Sequence, residues 1–214
     1  MHLPFRAIIF DLDSVLVDSA EVVENYWQQW AIKHQLDPER VIKTAHGRRT
    51  VDTITELLPH ANAQKEAKKI AREEGTQTNG LKIIEGAKQL LESLPEDSWA
   101  VATSGTKSTA LTRLNFAGLP IPKVLITAED VDAGKPDPQV YTLAAKRLKV
   151  DSSKCIVVED TPAGIEAARR AGMIPVAVTT THPKKELGGA EAIVPSISEL
   201  RVEIKEGLNL IMPN

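Results

Sequence analysis

The stretch AIIFDLDSVLVDS (residues 7–19) decides how this chain is read. Its four apolar residues, Ala7–Phe10, are short, β-prone and all of one character, as in a strand buried on both faces. They run straight into Asp11 and Asp13, two acids one residue apart. Ser14 follows, where a chain turning sharply off a strand often uses glycine. Similar apolar runs recur at 99–102, 124–126, 156–158 and 175–178, each separated from the next by a segment able to form a helix. That alternation predicts an α/β fold with a parallel sheet covered by helices on both faces.

Between about residues 15 and 82 the alternation stops. Val22, Tyr26 and Trp30 fall four residues apart with Val23, Trp27 and Ala31 beside them, the pattern of an amphipathic helix. Asp18 with Glu21 resembles a capping box at its start. Further helices are expected from near Thr50 and over 61–74, with no convincing strand in the region. Residues 15–82 therefore read as a helical insert, and 1–14 with 83–214 as the core. The crossings near 14–18 and 78–86 would be hinges.

The 214 residues suit one domain with an insert. With 42% hydrophobic and 26% charged residues, the composition is that of a globular protein able to bury a core. The net charge of −3 gives no reason to expect nucleic acid as a partner. The single cysteine, Cys155, excludes an internal disulfide and fits a reducing compartment. The N-terminal apolar run is too short for a signal peptide or a membrane span. A cytoplasmic monomer is expected, with no membrane partner.

Polar residues follow the strands at four places: Asp11 and Asp13, then Thr103-Ser104-Gly105, then Lys135 in GKPDP, then Glu159 and Asp160 in IVVED. In open parallel sheets ligands bind outside the carboxyl ends of the strands, so these four stations should meet in one crevice. Carboxylates there suit a hard cation such as Mg²⁺, which takes few protein ligands besides water and phosphate. Thr103–Gly105 offer a hydroxyl and backbone N–H groups to phosphate oxygens, and Lys135 a point charge. The chemistry this composition suits is phosphoryl transfer. Asp11 would attack phosphorus and form an aspartyl-phosphate. Asp13 would protonate the leaving group and later deprotonate water. Each station also has a structural reading: Thr103-Ser104 and Glu159-Asp160 could cap helices, Lys135 could be a loop lysine, and Asp18 reads better as a cap than as a site residue.

DLDSVLVDS, VATSG, AGKPDPQVY and VVEDTPAGI resemble, in order and in strand context, the four motifs of the haloacid dehalogenase superfamily. The resemblance spans essentially the whole chain. It implies a Rossmann-like core with an inserted helical cap, and within the family it is nearest to small sugar-phosphate and polyol-phosphate phosphatases. It implies Mg²⁺ held by Asp11, the backbone carbonyl of Asp13 and Asp160, with Glu159 either a ligand or a neighbour. Thr103 and Lys135 would bind the phosphoryl group, with Ser104 and Gly105 alongside. Glu85-Gly86 stands where relatives often have Pro-Gly, a departure confined to the hinge.

The loop AHGRR (45–49) reads either as a solvated basic turn or as a specificity loop meeting substrate through His46, Arg48 or Arg49. The alternative activity is a phosphomutase of the β-phosphoglucomutase type. Those enzymes carry a cap histidine where this chain has Val23, which favours water as the final acceptor. Dehalogenases and phosphonate hydrolases of the family lack the second aspartate, present here as Asp13. A catalytically silent binding protein would show decay of the motifs, and none of the central polar groups is missing.

Overall fold

A computed structural model of the chain describes residues 1–204 and 207–213. The chain opens with β1 (His2–Phe5) and β2 (Ala7–Phe10), then a short β3 (Val17–Asp18). Four helices follow: α1 (Ala20–Lys33), α2 (Pro38–Ala45), α3 (Thr50–Leu57) and α4 (Ala63–Glu74). After β4 (Lys82–Ile83), helices and strands alternate as α5 (Ala87–Glu92), β5 (Trp99–Ala102), α6 (Lys107–Phe116), β6 (Leu125–Ile126) and α7 (Gln139–Leu148). The alternation ends with β7 (Cys155–Glu159), α8 (Pro162–Arg170), β8 (Ile174–Val178) and β9 (Ala192–Val194). Last come β10 (Arg201–Ile204) and β11 (Leu208–Ile211).

The central sheet has six strands in the order β6-β5-β2-β7-β8-β9, every neighbouring pair parallel. All four residues of β2 are buried because the sheet is covered twice. Successive side chains point to opposite faces. Ile8 and Phe10 join Val101, Ile156 and Val158 under α5 and α6, through Leu90, Leu91, Ala110 and Leu114. Ala7 and Ile9 join Ala100, Ala102 and Val157 under α7 and α8, through Val140, Tyr141, Ala144 and Ala168. The second face is alanine-rich, which leaves room for the fully buried ring of Tyr141.

From β2 the chain moves to β5 and then β6 on one side, crosses back under α7 to β7, and continues to β8 and β9 on the other. The connections therefore diverge between β2 and β7. That divergence opens a crevice at the carboxyl ends of these two strands, where the sequence puts Asp11 and Glu159-Asp160.

Helices α1–α4 bury their own apolar cluster, with Trp27, Trp30, Val41, Ile54 and Ile70 inside. Two features of this region were not anticipated. The two crossings pair with each other as the antiparallel ribbon β3–β4, Val17 opposite Ile83, so the hinges are backed by sheet bonds. Helix α2 starts with Pro38 at its first turn, and the Asp37 side chain accepts from Glu39 N at 3.1 Å. That Asp-Pro signal was legible. The N-terminal segment forms a strand that the sequence reading had not assigned: β1 pairs with β11, His2 opposite Ile211, and β10 completes a three-stranded antiparallel sheet. No helix of the described residues is long and apolar enough to cross a membrane.

Cys155 lies in β7 with no exposed surface, and burial together with Asp151 pushes its thiol up to about 11. At pH 8 it is thus both protonated and covered. A thiol-specific reagent should leave the native protein unlabelled at pH 8 and label it at once in denaturant. Rapid native labelling would show that β7 opens locally.

Candidate active site

The crevice is built from strand ends inward and cap loops outward. Asp11 follows β2, and its N–H donates to Val158 O of β7 at 3.0 Å. Lys135 Nζ is 2.5 Å from Asp11 Oδ1 and 2.5 Å from Glu159 Oε1, and its side chain is 1% exposed. Glu159 is in turn completely engaged. Its Oε1 also accepts the Tyr141 hydroxyl at 2.7 Å, and its Oε2 accepts Asp160 N at 2.9 Å, Thr161 N at 3.0 Å and the Thr161 hydroxyl at 3.0 Å. Burial opposes the charge on Glu159, but Lys135 and these donors outweigh it and lower its pKa. Burial likewise opposes the charge on Lys135, yet Asp11 and Glu159 hold its pKa well above that of an ordinary lysine.

The remaining acids lack such compensation. Burial pushes the Asp11 carboxyl up to about 7 against the pull of Lys135, with Glu159 and Asp13 adding to the rise. Asp160 is raised well above the carboxylate range by burial, then by Glu159 and Asp11. Its Oδ2 accepts the Thr181 hydroxyl at 2.5 Å. One buried lysine thus faces three buried carboxylates, an excess of negative charge that calls for a further cation. Among the described residues no three His, Cys, Asp or Glu side chains form a metal cage. Two carboxylates, Asp11 and Asp160, and a backbone carbonyl at Asp13 nevertheless fit Mg²⁺, which keeps several waters.

Asp13 is the more open acid. Its Oδ1 accepts the Ser19 hydroxyl at 2.5 Å and pairs with Arg113 of α6. Ser19 stands at the start of α1 yet makes no side-chain cap, its hydroxyl being turned to Asp13. The capping box expected at Asp18 is absent; Asp18 Oδ1 accepts only from Ala20 N at 3.3 Å. Ser14 adopts a left-handed φ of 59° and donates its N–H to Val17 O at 2.7 Å. The turn after the second acid thus takes the conformation that favours glycine, with serine in place.

Across the crevice, Thr103 follows β5. The cap of α6 is Thr106 rather than Thr103 or Ser104. Thr103 Oγ1 accepts Gly105 N at 3.0 Å, and the Ser104 hydroxyl donates to Gly47 O of the loop at 45–49, at 2.8 Å. In the same way Thr161, not Glu159 or Asp160, caps α8, accepting Gly164 N at 3.1 Å. Shifting the caps one to three residues downstream leaves the side chains at the strand ends for other work.

The loop at 45–49 closes the roof. Gly47 has φ 71°, and a Cβ there would stand 2.6 Å from Thr161 Oγ1, so only glycine permits this approach. His46 and Arg48 line the crevice. No hydrogen bond closes on the buried His46 Nε2; Glu24 lies 3.8 Å away and the His182 ring 5.9 Å. Burial, then His182, lower its pKa, so it is neutral at pH 7. Arg48 Nη1 is 2.7 Å from Glu56. Arg49, one of the three loop residues considered for substrate contact, straps cap to core. It donates to Val131 O at 2.7 Å and Asp132 O at 2.6 Å, and pairs with Asp52. Asp13, Thr103, Ser104, Gly105, Asp160 and the roof enclose about 70 Å³. A wider cleft of about 780 Å³ shares Thr50, Glu74 and Ser104 with that wall.

Sequence reasoning gave no site role to Ser19, Glu74, Arg113 and Thr181, all of which line the crevice. Glu74, Arg113 and Thr181 sit in helices or loops with no motif around them, so only the tertiary fold could bring them there, while Ser19 closes the first motif.

The family model for haloacid dehalogenase-like hydrolases matches residues 8–178. The chain belongs to this family. It is 35% identical over 202 residues to hexitol phosphatase A of Escherichia coli, covering 92% of this chain and 94% of that one. It is 34% identical over 217 residues to glycerol-1-phosphate phosphohydrolase 2 of Saccharomyces cerevisiae, covering 94% and 86%. Among solved structures, a hydrolase from Pseudomonas syringae superposes with a TM-score of 0.80 at 27% identity, covering 90% of this chain and 94% of that one.

Gly164 offers a test of the buried network. A Cβ there would lie 1.8 Å from Glu159 Oε1. Gly164→Ala must displace the carboxylate that holds Lys135, and should cost about 1–3 kcal/mol of stability, read from urea unfolding, together with activity. An unchanged midpoint would mean that Glu159 shifts freely.

Proposed function

We propose that this phosphoric monoester hydrolase uses Mg²⁺ to dephosphorylate a small sugar or polyol phosphate through an aspartyl-phosphate on Asp11. The observation that carries this reading is the placement of Asp11. It stands at the end of the central strand β2 with Oδ1 fixed by Lys135 at 2.5 Å, opposite Thr103 and two residues before an acid that faces the same crevice.

Lys135 offsets the charge of Asp11 so that a phosphate dianion can approach. The Asp11 oxygen not held by Lys135 attacks phosphorus, and Thr103 Oγ1 with the N–H groups of the following turn receives the phosphoryl oxygens. Asp13 gives its proton to the departing alkoxide, then takes one from the water that opens the acyl phosphate. Ser19 and Arg113 fix the direction of its carboxyl. Mg²⁺, held by Asp11, Asp160 and the Asp13 carbonyl, would neutralise the phosphoryl charge and act as a Lewis acid. Glu159 belongs to Lys135 rather than to the metal, because both its oxygens already accept hydrogen bonds. In the cap, His46 is the substrate-facing residue, Arg48 is shared with Glu56, and Arg49 is a strap.

Two curated relatives act, by name, on hexitol and glycerol phosphates, which supports a polyol phosphate here. Position 23, where a mutase of this family would carry histidine, places an apolar valine against the crevice. That supports water as acceptor. A phosphate-release screen across sugar, polyol and nucleotide phosphates with Mg²⁺ tests the reading. Isomerisation of a hexose 1-phosphate without phosphate release would defeat it.

Two variants probe the mechanism. Asp11→Asn should abolish turnover with the unfolding midpoint retained; substantial activity would remove Asp11 as nucleophile. Asp13→Asn should cost about 10²-fold or more on alkyl phosphates, whose leaving group needs a proton, and much less on aryl phosphates. Equal losses on both would argue against the acid role.

A further inference from the structure

Helix α4 ends at Glu74, and the next residue is pinned to the core. The Gly75 carbonyl accepts the Thr112 hydroxyl of α6 at 2.5 Å, and a Cβ at Gly75 would stand 2.6 Å from Ser108 Oγ. This anchorage brings the Glu74 carboxylate to the cap–core boundary, where it lines both the crevice and the wider cleft. Arg113, 4% exposed, lies on the same wall with its guanidinium paired to Asp13. It acts on Glu74 only through space: among the described residues neither a hydrogen bond nor an ion pair closes on the Glu74 carboxylate. Burial raises its pKa, with Arg113 opposing and Asp13 adding to the rise.

Helix stability does not explain this acid. A carboxylate in the last turn faces the negative end of the helix dipole, and this one is half-buried, with no donor from the described residues. Its oxygens stay open to donors from whatever the crevice and cleft bind. With the leaving ester oxygen at Asp13, as the phosphatase reading has it, the rest of the leaving group meets the wall that Arg113 and Glu74 line.

We propose that Glu74 is a specificity-determining residue that accepts hydrogen bonds from hydroxyls of the leaving group. It selects neutral polyhydroxylated alcohols and repels leaving groups that carry a carboxylate or a second phosphate. This inference rests on the phosphatase reading above.

The experiment compares kcat/KM of wild type, Glu74→Gln and Glu74→Ala on a hexitol phosphate, on phenyl phosphate, which offers no hydroxyl, and on a phosphorylated hydroxy acid. Both variants should lower the hexitol-to-phenyl ratio about tenfold or more, mainly through KM, since a hydrogen bond to a charged group is lost. Glu74→Gln should also improve the phosphorylated hydroxy acid. An unchanged ratio would overturn the proposal, as would equal losses on all three substrates with a lowered unfolding midpoint. Phosphate release from phenyl phosphate by the wild type keeps the phosphatase reading standing in either case; its absence overturns both.

Discussion

Lys135 lies buried between Asp11 and Glu159, at the point where the strand connections diverge, and much of the surrounding architecture answers to that charge. Desolvating a lysine and its acids is repaid only when every remaining donor and acceptor is satisfied. Glu159 meets that condition through Tyr141, two backbone N–H groups and the Thr161 hydroxyl. Tyr141 reaches it because the face of the sheet under α7 is lined with alanines. Gly164 keeps the space above it clear. The charge centre, the helix start and the choice of small residues in the strands are therefore one packing solution.

The network leaves a deliberate remainder. Glu159 and Lys135 satisfy each other, while burial holds Asp11 and Asp160 toward protonation. A cation held between them, as proposed, would relieve that stress. Asp13 sits outside this centre, tied to Ser19 and Arg113 and more open to the crevice. Two aspartates separated by one residue thus occupy different environments, as division of labour between nucleophile and proton carrier requires.

The cap contributes enclosure. Its helices bury a separate apolar cluster, and its loop reaches the core through Gly47, Arg49 and the carbonyl that accepts from Ser104. Basic residues in such a loop invite a reading as substrate ligands. Here the guanidinium of Arg49 serves backbone carbonyls of the 131–132 segment, which have no sequence relation to it.

The sequence by itself determined the parallel sheet, the helical insert and the four polar stations, because these depend on local periodicity and on which residue ends each strand. DLDSVL could be read so because an apolar run ending in acids has few structural meanings. Tertiary structure alone decided the rest. The pairing of β1 with β11 joins segments some two hundred residues apart, and short polar-flanked strands such as β10 and β11 carry little periodic signal. Glu74 sits in a helix whose pattern is mostly charge, and Arg113 in one whose apolar residues signal only packing on the sheet. They become crevice residues because α4 docks on α6. Lys135 was legible as a site residue, but its packing between Asp11 and Glu159 was not. Its type was written in the motif; its partners depended on how β2 and β7 were brought side by side.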